Sequence, residues 1–128
     1  MKITQRILSI VLLTFIFQLN TAQAQVKNLA PSNFAQVVKS EKATVVDVRT
    51  QGEVQEGYIK GTTVFANINS NDFNAQIDKL DKSKTYVVYC RSGGRSSRAA
   101  SIMVSKGFKN VYNLNGGILS WSGEVIKP

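Results

Sequence analysis

Of the 128 residues, one is cysteine and none is histidine, and these two counts bound the available chemistry. Without imidazole the chain cannot assemble a Cys-His or Ser-His-Asp nucleophile, a His-liganded zinc site or a histidine pH switch. With one thiol it has no internal disulfide, no C-x-x-C redox pair and no Cys-rich metal knot. Any sulfur chemistry must run through Cys90. The run Cys90-Arg91-Ser92-Gly93-Gly94-Arg95-Ser96 follows that thiol with two arginines and two adjacent glycines. Such a loop can curl its backbone N–H groups inward, where they join the unpaired amides of a helix start to make an anion trap centred on sulfur. Amide dipoles, the helix terminus and the Arg91 and Arg95 guanidinium groups would all favour thiolate over thiol. An unpaired cysteine is most often a small buried hydrophobe. One flanked by Arg, Ser and two Gly is poorly suited to apolar packing, so a reactive, partly exposed thiol is expected.

The elements that would hold this loop are legible as alternating patterns. Thr44-Val45-Val46-Asp47-Val48 and Thr85-Tyr86-Val87-Val88-Tyr89 are β-branched and aromatic runs without polar alternation, as in strands covered on both faces. Residues 63–66 and 110–114 are weaker strands of the same kind. Helices are expected over 32–39 after a Pro31-Ser32 start, over 72–80, and over 96–106 closed by Gly107. In the last of these Ala99, Ile102 and Met103 share one face. Strand and helix alternate, which predicts a single-domain α/β fold with a parallel sheet. Cys90 then falls just past the carboxyl end of a strand, where open parallel sheets bind ligands.

At this level of detail the residues resemble a known family. Tyr89 to Ser96 is similar to the active-site loop of single-domain rhodaneses, the thiosulfate sulfurtransferases. Val46-Asp47-Val48-Arg49 with Glu53, then Gly57-Tyr58-Ile59-Lys60-Gly61, resemble the family's upstream signature, and Gly116-Gly117 with Trp121 its closing turn. The similarity runs from about Lys27 to Trp121. Tyr58 stands where the family usually has His, and Thr62 where it usually has Ala. The resemblance implies a five-stranded parallel sheet flanked by helices on both faces, and a two-step sulfur transfer through a Cys90 persulfide. It also implies that the residues from Arg91 to Ser96 bind a small anionic donor, with a thiol or a protein as acceptor. Arg91 and Arg95 are the candidates for holding the donor's oxyanion and the loop, since guanidinium groups match oxyanions geometrically.

Asp47 and Arg49 read as supports at the neighbouring strand end, because transfer from a persulfide needs no carboxylate base. Glu53 reads as a solvated or salt-bridged helix residue, and Trp121 as core. No cofactor, metal or nucleic acid is expected. Two other readings stand beside transfer. A thiol phosphatase or arsenate reductase also uses a cysteine under an anion-binding loop, but its common loop has five residues before the arginine, against the four from Arg91 to Gly94. A noncatalytic binding or sulfur-relay module would use the fold as a docking surface.

Lys2 and Arg6 precede an apolar run from Ile7 to Phe17, and Ala22-Gln23-Ala24 supplies a small-x-small site. This is the layout of a cleaved secretory signal over residues 1–24, leaving a domain over 25–128 in the periplasm or outside the cell. The run is shorter than the ~20 residues that span a bilayer, so no stable membrane anchor is expected after cleavage. Lys and Arg number 16 against 8 Asp and Glu, a formal charge of +8, and the chain stays basic without its leader. That excess favours anionic small molecules over cationic partners.

Overall fold

A computed structural model describes residues 24–128; apart from Ala24, the expected leader lies outside them. The elements in chain order are β1 (Val26–Leu29), a 3-10 turn (Pro31–Asn33), α1 (Phe34–Glu41), β2 (Thr44–Asp47), α2 (Gln51–Gln55), β3 (Tyr58–Ile59) and β4 (Thr62–Phe65). There follow α3 (Phe73–Asp78), β5 (Thr85–Tyr89), α4 (Gly94–Ser105), β6 (Asn110–Leu114), a second 3-10 turn (Gly117–Ser120) and β7 (Val125–Ile126). Five strands form one sheet in the order β1-β6-β5-β2-β4, every neighbouring pair parallel. β3 and β7 make a separate antiparallel pair. The parallel α/β fold expected from the alternation is thus present, with helix and strand ends displaced by one or two residues.

β5 is the central strand, and all five of its residues are buried, which is why it lacks polar alternation. Its side chains alternate between two cores. Tyr86, Val88 and Cys90 pack with Val46, Val48, Phe73 and Ile77 of α3, and Ala99, Ala100 and Met103 of α4. Val87 and Tyr89 face the other way, with Phe34 of α1, Val45, Ile59 and Leu114; Trp121 is only partly buried against this second core, with its ring edge-on to Phe34 at 4.6 Å. Two consecutive residues at the end of β5, Tyr89 and Cys90, therefore enter different environments.

Candidate active site

The strand-to-helix junction after β5 is built to turn sharply. Gly93, the N-cap of α4, has φ of 107°, a left-handed conformation that costs glycine little. The turn begins α4 at Gly94, two residues earlier than expected, and aims the helix's first amides back at the strand end. The Gly93 amide donates to Cys90 Sγ at 3.1 Å, and the Ser96 hydroxyl lies 3.4 Å from the same sulfur. Burial pushes the thiol up, but the Ser96 hydroxyl and the amides of Ser96, Gly93 and Ser92 together bring it below its ordinary value.

The loop's carbonyls are held on its outer side. Ile118 and Leu119 donate their amides to Cys90 O at 3.0 Å and Arg91 O at 3.1 Å. This close approach requires Gly117: its φ is 59°, and a Cβ there would come 2.5 Å from both carbonyl oxygens. The Gly116-Gly117 turn thus fixes the loop from behind and leaves its amides free to face sulfur.

One expectation is corrected and two are made more specific. Cys90 is not partly exposed: only 1% of it is accessible, because the loop folds over the strand end and the first turn of α4 closes the side. The burial is amphipathic, with apolar side chains beneath the sulfur and N–H and O–H donors above. Second, Arg95 does not reach for sulfur but makes a two-pronged ion pair with Glu53, Nη1 to Oε1 at 2.7 Å and Nη2 to Oε2 at 2.9 Å. Opposite charge and fork geometry hold it there, tying the start of α4 to α2. Arg91 is exposed and lines a cavity of about 300 Å³ with Arg49, Glu53, Glu56, Ile118 and Leu119. Third, Asp47 and Arg49 pair with each other at the end of β2, as a local ion pair beside the site. Arg49 holds the fully buried Asp47 carboxylate through Nη2 at 2.7 Å and donates to Gly57 O at 2.7 Å. It also lies 5.7 Å from the centre of the Tyr89 ring, so this pair braces β2 against the α2–β3 turn. Ser92 and Gly94 are exposed at the rim, and Ser96 is buried.

Glu53 does double duty. It completes a capping box with Thr50 at the start of α2 while gripping Arg95, and that guanidinium holds its carboxyl down at about 2. Thr62 bridges Tyr89 and β3: it donates to Ile59 O at 2.7 Å and therefore accepts from the Tyr89 hydroxyl, 2.9 Å away. Asn113, on β6, is a site residue that sequence reasoning missed; its Oδ1 lies 2.6 Å from the Ser96 hydroxyl. Among the described residues no group of three or more His, Cys, Asp or Glu could hold a metal ion.

Comparison with known proteins agrees with this geometry. Residues 30–124 match the rhodanese-like domain. The thiosulfate sulfurtransferase GlpE of Pseudomonas fluorescens is 37% identical over 91 residues, covering 71% of this chain and 81% of that protein. A tRNA uridine(34) hydroxylase of Cytophaga hutchinsonii is 33% identical over 100 residues, or 77% of this chain, but the chain spans only 32% of that protein. The crystal structure of a rhodanese-related protein from Thermoplasma volcanium superposes with a TM-score of 0.69 at 26% identity, covering 80% of this chain and 99% of that one. On these grounds, together with the single-domain sulfurtransferase relatives, the chain belongs to the rhodanese-like domain family.

Proposed function

We propose that this protein is a sulfurtransferase that carries a sulfane sulfur on Cys90. The Cys90 thiolate attacks the outer sulfur of thiosulfate or of a persulfide or polysulfide donor. A Cys90–sulfur bond forms, the donor's S–S bond breaks, and the leaving group, sulfite in the case of thiosulfate, departs with the electron pair. A thiol or protein nucleophile then attacks the terminal sulfur, and the Cys90 thiolate leaves. The negative charge that passes to the terminal sulfur remains within reach of the loop amides, a preorganised set of donors. Exposed Arg91 is the group available to a donor's oxyanion, and Arg95 with Glu53 keeps the loop in shape.

The observation that carries this reading is the convergence on one sulfur of the Gly93 amide at 3.1 Å and the Ser96 hydroxyl at 3.4 Å. The N-terminal pattern supports export to the periplasm or beyond after cleavage behind Ala24, where a lone thiol persists best when a sulfur donor keeps it cycling. Intact-mass measurement tests the function. After incubation with thiosulfate or polysulfide the wild-type chain gains one sulfur and Cys90→Ser gains none; an unchanged wild-type mass overturns the proposal.

A further inference from the structure

The Ser96 hydroxyl has one hydrogen and three acceptors around it: Asn113 Oδ1 at 2.6 Å, Gly93 O at 3.2 Å and Cys90 Sγ at 3.4 Å. Gly93 O already receives the Ser97 amide at 3.0 Å. The contest is therefore between the amide oxygen and the sulfur. Asn113 is 6% exposed, and its Nδ2 donates to Gly93 O at 3.4 Å, which turns Oδ1 toward Ser96. With the hydrogen on Asn113, the Ser96 oxygen presents lone pairs to sulfur and can accept the thiol hydrogen; with the hydrogen on sulfur, the thiolate is stabilised.

We propose that Asn113 is a positioning residue whose amide oxygen competes with sulfur for the single Ser96 hydroxyl hydrogen, and so sets how readily Cys90 ionises and reacts. The inference rests on reading Cys90 as the nucleophile. In the resting thiol the hydrogen lies on Asn113, and it turns to sulfur when the thiol loses its proton. When a persulfide forms and the charge moves one sulfur farther out, the hydrogen returns to Asn113. The charged groups around the loop are the Arg95–Glu53 pair, the Asp47–Arg49 pair at the end of β2, and exposed Arg91. None hydrogen-bonds the sulfur among the described residues, and all are unchanged in the variants below.

The test is a double-mutant comparison of the pH dependence of Cys90 alkylation by iodoacetamide in wild type, Asn113→Leu, Ser96→Ala and the double variant. Asn113→Leu should move the midpoint down by roughly half a pH unit or more, the size expected for strengthening one hydrogen bond to a charged acceptor. Ser96→Ala should move it up, and Asn113→Leu should add nothing in that background. An equal Asn113→Leu shift without Ser96 would mean a purely structural role and would overturn the proposal, as would no shift or an upward one. Asn113→Asp covers the case in which Leu fails to fold: its stronger acceptor should raise the midpoint, and by more with Ser96 than without; equal rises overturn the proposal. Sulfur loading from thiosulfate, scored on the same proteins, separates the two readings. Midpoints that follow the cycle while loading fails would remove the sulfurtransferase and leave Asn113 in its role.

Discussion

Tyr89 and Cys90 are consecutive, both carry an acidic hydrogen, and both are essentially inaccessible, at 0% and 1% exposure. Yet their environments drive them in opposite directions. Burial pushes the Tyr89 phenol well up and the nearby Asp47 carboxylate pushes it further, while the Ile59 amide, donating to the phenol oxygen at 3.1 Å, offsets little of this. On the other face of the sheet the same burial penalty on Cys90 is outweighed by the Ser96 hydroxyl and three amides. Depth in the protein does not decide whether an acid ionises; the number of donors aimed at it, against the charges beside it, does. Strand alternation assigns the two residues to their faces, so one peptide bond separates a phenol whose ionisation is suppressed from a thiol whose ionisation is favoured.

Disturbing each face in turn should break or sharpen this contrast. Arg49→Met should have the largest effect, about 3–5 kcal/mol of stability in chemical denaturation, because it leaves Asp47 charged and buried beside Tyr89 without its partner. Gly117→Ala strikes the Cys90 face: with a Cβ 2.5 Å from two loop carbonyls and an unfavourable φ, it should cost about 2–3 kcal/mol and erase sulfur loading by distorting the loop. Removing one hydroxyl from each face is the sharper pair. Ser96→Ala should raise the thiol midpoint by about one unit, whereas Thr62→Val should cost about 1 kcal/mol of stability and leave that midpoint in place, both readable by alkylation against pH and by denaturation.

The smallest effect concerns acid. The Glu53 carboxyl, held at about 2 mainly by Arg95 against an ordinary 4.5, contributes its full stabilisation above about pH 4.5 and loses it as pH falls toward 2. With both side chains about a quarter exposed, solvent screening limits this to about 1 kcal/mol. Glu53→Gln should lack that part of the acid destabilisation in thermal melts taken between pH 5 and pH 3.

How far the sequence foretold these environments depended on the range of each interaction. β5 and the loop after it were legible because a buried parallel strand and a glycine-rich turn are written in consecutive residues. The Thr50-x-x-Glu53 capping box was equally local and could have marked α2 as a helix of its own. β1, β3 and β7 are only two to four residues long, and their existence depends on partners elsewhere in the chain. The fate of Arg95 was not legible because the carboxylate that captures it lies 42 positions away, and charge near sulfur in sequence became charge paired beside it in space. Asn113 lies 17 positions from Ser96 on an otherwise ordinary strand, with no local signal of its role. The burial of Cys90 was misjudged because polar neighbours in sequence became its roof, supplying donors without exposing it.

The central claim is that these donors make the sulfur easier to ionise than a free thiol despite its burial. It is tested most directly by following thiolate absorbance at 240 nm against pH in the wild-type protein, with Cys90→Ser subtracted to remove the tyrosines. The account predicts a single titration with its midpoint below the ~8.5 of an unperturbed cysteine. A midpoint at or above that value would contradict it.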